Sequence, residues 1–292
     1  MTLVGNMGLI GGIEAGGTKF ALAVGHSPTE IIARHEIPTG SPAKTLEEAA
    51  AWLESHGQIS ALGIGSFGPV DLDRTSQMWG HITNTPKPGW AICEIAGFFA
   101  ERFKVPIGFD TDVNGAALAE HQLGAGLDAS SLAYITVGTG IGGGLIVGSK
   151  PVHGVAHPEM GHILPRRHAL DLEFIGICPH HRDCLEGLAS GPAINARWGA
   201  SLSELPSDHI AHEIIADYLA QLAHTLIALT SVEVIVMGGG VMKTPGLLDR
   251  VQHRASELGA AYFPGNTKHK IVAPGLGDQA GITGALLLAP SA

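Results

Sequence analysis

Two stretches of the chain share one pattern of apolar and small residues. Residues 9–25 (LIGGIEAGGTKFALAVG) and 133–148 (AYITVGTGIGGGLIVG) each place a glycine-rich turn between two apolar runs. Short apolar runs bounded by glycine are typical of buried strands, so each stretch predicts a strand, a tight turn and a second strand. Repetition of one supersecondary unit predicts two similar halves.

Between and after these hairpins, segments with helical spacing alternate with short apolar runs. Helices are predicted at residues 45–56, 94–103, 112–123, 209–229 and 246–258, with a closing small-residue helix after Asp278. Short buried strands are predicted at residues 61–65, 105–109 and 232–237. Strands that alternate with helices indicate an α/β protein.

Composition excludes several classes of protein. Glycine supplies 41 of the 292 residues, yet 45% of residues are hydrophobic and only 15% are charged, so the chain is neither collagen-like nor disordered. A net charge of −10 argues against nucleic acid as a partner. Residues 129–149 carry no charge, but their glycines favour a hairpin over a membrane helix, and no membrane partner is expected.

The cysteines and the first residues bear on the cellular compartment. Three cysteines cannot form a disulfide framework, which indicates a reducing environment. The first basic residue is Lys19, so the start lacks the charged segment of a secretion signal. We therefore expect a cytoplasmic protein.

The glycine turns are the first candidates for ligand binding. Residues 138–143 satisfy a dinucleotide-binding spacing and residues 12–19 come close to a P-loop, but a strand follows each where those motifs need a helix. What remains is two hairpin turns that offer amides, and the hydroxyls of Thr18 and Thr139, to phosphate. Either hairpin alone is better explained as a tight turn in a sheet. Together with a third glycine turn at residues 238–240, they favour a nucleotide site.

A cluster of cysteine and histidine predicts a metal site. Cys178, His181 and Cys184 form a C-x2-H-x2-C pattern, and His162 lies sixteen residues upstream of Cys178. Two thiolates and two imidazoles suit tetrahedral, structural Zn²⁺. The alternatives are two buried cysteines near ordinary histidines, or ligation by His180 in place of His181.

Three carboxylates are candidates for the chemistry. Asp112 follows a predicted strand and begins a predicted helix, where it is either a general base or simply a residue of the helix N-terminus. Glu159 and Glu186 flank the metal pattern and would suit the recognition of sugar hydroxyls. Taken alone, each would be a solvated surface charge.

Several ordered motifs carry a resemblance to a known family. They are GGIEAGGTKF at 11–20, SFGPVDLD at 66–73, ITNTPKPGW at 82–90, DTDVNGAALAE at 110–120, ITVGTGIGGG at 135–144, AHPEMGH at 156–162, CPHHRDCLEGLASG at 178–191 and MGGGVM at 237–242. Along essentially its whole length the chain resembles the ROK family of bacterial sugar kinases and repressors, and within it the ATP-dependent fructokinases.

The resemblance implies a fold, an activity and partners. The fold would be the two-domain actin-like (ribonuclease H-like) α/β fold with a cleft between domains, divided into residues 1–115 with 279–292 and residues 116–278. The reaction would be phosphorylation of D-fructose to D-fructose 6-phosphate, with ATP, Mg²⁺ and a structural Zn²⁺. A homodimer is implied as well.

The resemblance also assigns roles to individual residues. Asp112 would be the catalytic base. The sugar would contact Thr111, Glu159, His162, Glu186, Gly68, Pro69, Thr85 and Pro86. The nucleotide would contact Gly16, Gly17, Thr18, Lys19, Thr139, Gly140, Gly239 and Gly240. The metal would be held by His162, Cys178, His181 and Cys184.

Three departures from the wider family pattern narrow the substrate. Thr111 stands where glucose-type members have Asn, Glu14 where they have Asp, and the metal loop has one cysteine fewer than usual. All three fit the fructokinase variant. The alternatives are a kinase for mannose, glucose or an N-acetylhexosamine, a sugar-responsive repressor (disfavoured by the early first hairpin and the acidic charge), and a catalytically inactive sugar-binding protein.

Overall fold

The computed structural model describes residues 8–263, 265 and 268–290, which divide into two units. Unit 1 holds the described residues up to Ala119, Pro151–His157 and those from Asp278 onwards, and unit 2 holds Glu120–Lys150 and Pro158–Gly277. The predicted division into domains, 1–115 with 279–292 and 116–278, stays a prediction. The unit boundaries differ from it mainly at Pro151–His157.

Helices and strands alternate, and the prediction of an α/β protein is confirmed. The strands of the described residues are β1 (Leu9–Ala15), β2 (Lys19–Ser27), β3 (Glu30–Pro38), β4 (Ile59–Ser66), β5 (His81–Ile82), β6 (Cys93–Glu94), β7 (Ile107–Thr111), β8 (Ser131–Val137), β9 (Ile141–Val147), β10 (Lys150–Pro151), β11 (Val234–Gly238) and β12 (Lys270–Val272). The α-helices are α1 (Pro42–Glu54), α2 (Ile95–Phe103), α3 (Asp112–Leu123), α4 (Leu185–Ala189), α5 (Gly191–Trp198), α6 (Ala211–Thr230), α7 (Leu247–Gly259) and α8 (Ala280–Leu288).

Unit 1 is built on a five-stranded sheet of order β3-β2-β1-β4-β7. The first three strands are antiparallel, and β1, β4 and β7 run parallel, so the predicted first hairpin is confirmed. Strand β3 was not predicted, because its residues are mostly exposed and it lies at the sheet edge, where no continuous apolar run is needed. One apolar cluster fills the space under the sheet, with Phe20, Trp90 and Phe99 among its fully buried members.

A row of three glycines explains how the last helix of unit 1 packs. Gly12, Gly63 and Gly108 lie side by side in β1, β4 and β7. A Cβ on Gly12 would lie 2.8 Å from Leu286 of α8, and Cβ atoms on the other two would meet the backbone of this helix segment directly. Only glycine permits a helix to approach the sheet this closely. Some of the 41 glycines of the chain therefore serve packing rather than ligand binding.

Unit 2 repeats the plan of unit 1. Its sheet has the order β10-β9-β8-β11-β12, with β8 and β9 antiparallel and β8, β11 and β12 parallel. The second predicted hairpin is confirmed, and so are the two similar halves. Strand β12 has only three residues, too short for a sequence pattern to indicate. No helix of the described residues is long and apolar enough to cross a membrane.

Candidate functional site

The turn between β1 and β2 is the first predicted phosphate loop. Gly16 N donates to Lys19 O at 3.0 Å, while Thr39 bonds the turn twice, through Oγ1 to Gly16 O at 2.7 Å and through N to Thr18 O at 2.9 Å. Gly17, Thr18 and Lys19 are exposed, and a side chain at Gly17 would meet nothing within 4 Å. The backbone is thus held in shape and open on its outer side, as a phosphate loop requires.

Acidic side chains crowd beside this turn. Glu14 is the residue before the last of β1, and it pairs with Gly65 of the neighbouring β4. Gly65 lets the start of α3 come close, since a Cβ there would lie 3.3 Å from Asp112 Cα. Burial, and next the charge of Asp112, raise the pKa of Glu14 from 4.5 to about 7, and Asp278 adds to the rise while Lys19 opposes it. These groups form a concentration of negative charge at the end of the sheet.

Thr111, not Asp112, caps helix α3. Asn114 N donates to Thr111 Oγ1 at 3.0 Å, which is the hydrogen bond of an N-cap, and Thr111 is buried. Asp112 is the first residue of the helix, and its Oδ1 accepts from Val113 N at 2.9 Å. The preceding carboxylate, Asp110, is buried and accepts from Asn114 Nδ2 at 2.7 Å, and it lies 2.9 Å from His153 Nε2. This contact raises the pKa of His153 through its hydrogen bond to Asp110.

Two loops of unit 1 bring the remaining predicted sugar residues together. Thr83 donates to Pro69 O from both its Oγ1, at 3.0 Å, and its N, at 2.7 Å, so residues 83–86 lie against residues 68–70. Val70 N in turn donates to His157 Nε2 at 3.1 Å. The four predicted contacts in these loops therefore lie near one another, and their role in sugar binding stays a prediction.

The turn between β8 and β9 is the second predicted phosphate loop. Gly138 N donates to Gly140 O at 2.9 Å to close the turn, and a Cβ on Gly138 would meet nothing within 4 Å. Ile141 N, which begins β9, donates at 2.9 Å to Glu186 Oε2. The structure thus places Glu186, predicted as a sugar contact, beside Thr139 and Gly140.

The third glycine turn lies next to the second. Gly238 of β11 is in register with Thr136 of β8, so the turns that follow these strands share one end of the sheet. Gly239 has φ of +93°, and a Cβ there would meet the backbone of Val137, which makes glycine necessary. A side chain at Gly240 would meet nothing within 4 Å, which leaves its backbone open to a ligand.

The four predicted metal ligands converge on one point in unit 2. One ligand atom from each of His162, Cys178, His181 and Cys184 lies within 4.8 Å of the others. His162 Nδ1 is 3.5 Å from Cys184 Sγ, 3.9 Å from Cys178 Sγ and 3.3 Å from His181 Nδ1, and Cys178 Sγ is 3.8 Å from His181 Nδ1. Of the two adjacent histidines, His181 belongs to the cluster.

Two of these separations, from His162 Nδ1 to Cys184 Sγ and to His181 Nδ1, match the edges of a coordination tetrahedron, and the two to Cys178 Sγ, 3.8 and 3.9 Å, are longer. With metal bonds of about 2.05 Å to nitrogen and 2.3 Å to sulfur, the edges would be about 3.3 Å between nitrogens and 3.5 Å between nitrogen and sulfur. Burial raises the pKa of the Cys184 thiol to about 11 when no cation is near. A metal ion would therefore displace a proton on binding. The donor set fits a closed four-ligand site.

Glu159 lies on the outer side of this cluster. Its Oε2 is 4.0 Å from His162 Nε2, the ring nitrogen that does not face the other ligands. Nearly half of the Glu159 side chain is exposed. Glu159 thus lies where the carboxylate partner of a metal-binding histidine is commonly found, beside the nitrogen that faces away from the cluster.

Sequence reasoning left three residues of these sites without a role. His153 and His157 sit among 16 histidines with no spacing that marks them, so no pattern could identify their contacts to Asp110 and Val70. Glu14 was noted only as a departure from a family pattern. The sequence shows that Glu14 precedes a glycine turn. Its burial beside Asp112, however, follows only from the register of the strands.

Comparison with known proteins gives a consistent result. Residues 10–292 match the sequence model of the ROK family. The chain is 48% identical to a fructokinase of Zymomonas mobilis, with 97% of each chain covered, and 40% identical to a fructokinase of Streptococcus mutans, with 94% of each covered. Among solved structures it is similar to a ROK family glucokinase of Streptomyces griseus in complex with glucose and AMPPNP, with a TM-score of 0.75, 25% identity and coverage of 97% and 99%.

Proposed function

The chain belongs to the ROK family, and from this premise we propose that it is an ATP-dependent fructokinase with the actin-like fold, which phosphorylates the C6 hydroxyl of D-fructose. The observation that carries the proposal is the 48% identity to a fructokinase over 97% of both chains. Glycine turns open to phosphate and a carboxylate at the start of α3 agree with it.

Asp112 is proposed as the general base. Its carboxylate accepts the C6 hydroxyl proton while the oxygen's electron pair attacks the γ-phosphorus, and the bond to the β-phosphate oxygen breaks to release ADP. Thr111 supplies the N-cap of α3, and Asp112 follows it as the first residue of the helix, with its Oδ1 accepting from Val113 N at 2.9 Å. Such a reaction depends mainly on positioning and on stabilisation of negative charge.

The nucleotide phosphates are assigned to the two hairpin turns. Gly16, Gly17, Thr18 and Lys19 supply the first set of contacts, and Thr139 and Gly140 supply the second. Gly239 and Gly240 are assigned to the adenosine. The carboxylates near the first turn, Glu14, Asp112 and Asp278, are the oxygen ligands that Mg²⁺ prefers, and their mutual repulsion favours a cation there. Bound Mg²⁺ would neutralise phosphate charge.

Fructose is assigned to the residues that the family resemblance gives it. In unit 1 these are Thr111 and the loops at 68–69 and 85–86, and in unit 2 they are Glu159, His162 and Glu186. The cluster of His162, Cys178, His181 and Cys184 is proposed to hold structural Zn²⁺, because two thiolates and two imidazoles leave no open position. Zinc would supply rigidity to the segment that carries the sugar contacts.

Compartment and assembly follow from the same resemblance. Cys93, Cys178 and Cys184 are not in disulfides, which fits the expected cytoplasmic location. A homodimer is proposed, and light scattering of the purified protein measures its mass directly.

The product of the reaction tests the proposal. Purified protein with ATP, Mg²⁺ and ¹³C-labelled fructose should yield a sugar whose C6 signal splits by coupling to phosphorus. Phosphate at C1, or no fructose-dependent product, would show that the assignment is wrong.

A further inference from the structure

We propose that Glu186 has a second task in unit 2: its carboxylate holds the second turn, residues 138–141, in the shape that binds nucleotide phosphate. The segment at 184–191, which starts at the metal cluster, would thereby position the nucleotide as well as the sugar. The inference rests on the proposed function in one respect, namely that the second turn receives phosphate.

The contact between Glu186 and the turn is direct and close. Ile141 N donates to Glu186 Oε2 at 2.9 Å, and Ile141 is itself buried. A Cβ on Gly140 would lie only 2.6 Å from the same oxygen, so glycine at this position makes room for the carboxylate. A hydrogen bond to a charged acceptor is stronger than one between neutral groups, and without it a buried amide loses its partner.

The same segment holds the other end of the turn. Gly191 N donates to Gly138 O at 2.8 Å, and a Cβ on Gly191 would lie 3.1 Å from that oxygen. The turn is therefore fixed at both ends by residues 184–191. Its own internal bond, from Gly138 N to Gly140 O at 2.9 Å, leaves the outer face open.

Residues 184–191 are in turn fixed to the metal cluster. Cys184 is a cluster ligand, and the next residue, Leu185, donates from N to Ile163 O at 2.9 Å, directly after the ligand His162. Ile177 N donates to Gly187 O at 3.0 Å, one residue before the ligand Cys178. The backbone on both sides of Glu186 is thus bonded to the segments that carry the cluster ligands, in addition to the hydrogen bonds that join it to the hairpin.

Two opposite effects on nucleotide binding are expected when the Glu186 carboxylate is removed, depending on whether it holds the turn. A binding measurement can therefore decide the inference. A carboxylate near a phosphate site repels the phosphate, so removal of Glu186 should strengthen nucleotide binding if the side chain has no holding role. If Glu186 holds the turn, its removal should weaken nucleotide binding even when no sugar is present. With a role in sugar binding alone, removal of Glu186 would not weaken nucleotide binding in the absence of sugar.

The test measures binding of a non-hydrolysable ATP analogue with Mg²⁺ by calorimetry in the absence of sugar. We expect Glu186→Ala to weaken this binding roughly tenfold, since a charge-assisted hydrogen bond to a buried amide is lost. Glu186→Gln keeps an oxygen acceptor and should stay within about threefold of the wild type. Glu186→Gln should nevertheless bind fructose more weakly than the wild type does. This result would separate the role of Glu186 in holding the turn from its role in sugar binding.

A matched control and a cycle of variants complete the test. Glu233→Ala removes a carboxylate that accepts from Ser130 N at 3.1 Å, at the other end of β8, and should leave nucleotide affinity unchanged. Gly140→Ala should displace the carboxylate and weaken binding, and should add nothing in the Glu186→Ala background. If Glu186→Ala does not fold, Glu186→Asp, whose shorter side chain withdraws the carboxylate from Ile141 N, takes its place in the measurement and in the cycle.

The outcomes distinguish this inference from the proposed function. Unchanged or tighter nucleotide binding by Glu186→Ala would overturn the inference alone, and so would additive losses in the cycle. Wild-type protein that binds no nucleotide would overturn both. Binding that follows the expected order, with no fructose phosphorylation, would contradict only the fructokinase assignment.

Discussion

The two glycine turns come from the same supersecondary unit, yet they are built for different purposes. The turn between β1 and β2 is held by its own sheet, through Thr39, and carboxylates crowd beside it. The turn between β8 and β9 is held by a segment that starts at the metal cluster, through Glu186 and Gly191. Repetition of a fold thus does not repeat its chemistry.

The difference between the two turns suggests that they have different roles in the reaction. The first turn lies where charge gathers, so it suits proton transfer and the metal-bound end of the phosphates. The second turn is connected to the segment that starts at the proposed metal cluster and also carries a proposed sugar contact. Each turn can be changed separately.

The largest effect should come from a change near the first turn, where the carboxylates lie. Asp112→Asn removes the proposed base and should lower kcat by about a hundred- to ten-thousandfold, while fructose affinity changes little, because the shape of the side chain is kept. Steady-state kinetics with calorimetric fructose binding measures both. Asp128→Asn, an exposed aspartate of unit 2, serves as the control and should retain full activity.

Turnover near the wild-type level in Asp112→Asn would remove Asp112 from the mechanism. Loss of fructose binding together with kcat would point to a role in substrate contact instead.

The second effect concerns Glu14 and pH. Its pKa is raised by burial from 4.5 to about 7, so the native state keeps a proton that the unfolded chain releases, and the free energy of unfolding falls as pH rises across that window. The fall should be at most about 3 kcal/mol. Glu14→Gln stays neutral and should be free of it, so its advantage over the wild type should grow from pH 4.5 to above 7.

Urea unfolding at a series of pH values without Mg²⁺ measures this difference. Glu30→Gln, at an exposed position of the same sheet, is the control. A constant difference between Glu14→Gln and wild type at all pH values would show that folding does not shift the pKa of Glu14.

The third effect concerns the proposed metal cluster and the second turn, which residues 184–191 hold. Removal of the metal by a chelator should speed amide hydrogen exchange in residues 138–144 and 159–191 by roughly tenfold or more, because local stability there depends on the cluster. Residues 14–20 in the same sample should be unaffected. Fructose affinity should also fall.

Metal analysis of the purified protein should find one zinc per chain. Absence of zinc, or equal acceleration in both turns after chelation, would contradict the difference between them.

The smallest effect compares the two supports directly. Thr39→Val removes the hydroxyl bond to Gly16 O but leaves the Thr39 N to Thr18 O bond of 2.9 Å. Nucleotide affinity should fall only about two- to threefold, less than for Glu186→Ala, because a neutral hydrogen bond contributes less. A larger loss for Thr39→Val would reverse the ranking of the two supports.

Much of the fold could be predicted from sequence because its signals are local. Both hairpins, the long helix now seen as α6 and the metal ligands all follow from spacing along the chain. Strand β3 and the three-residue β12 could not be predicted, since an exposed edge strand and a very short one carry no apolar pattern. Their place in the sheet is set by the neighbouring strands.

Contacts between distant segments were the part that sequence could not supply. The hydrogen bond from Ile141 to Glu186 and the contact of His153 with Asp110 join residues about 40 positions apart. The glycine row under α8 depends on strand register. Such features arise from packing, for which a single sequence has no periodic signal.

Comparison of sugars by their rate of ADP formation tests the central claim most directly. Wild-type protein with ATP and Mg²⁺ should give its highest kcat/KM with fructose, above mannose, glucose and N-acetylhexosamines, and almost no ADP without sugar. A higher kcat/KM with one of the other sugars, or ADP formation that does not respond to fructose, would contradict the account.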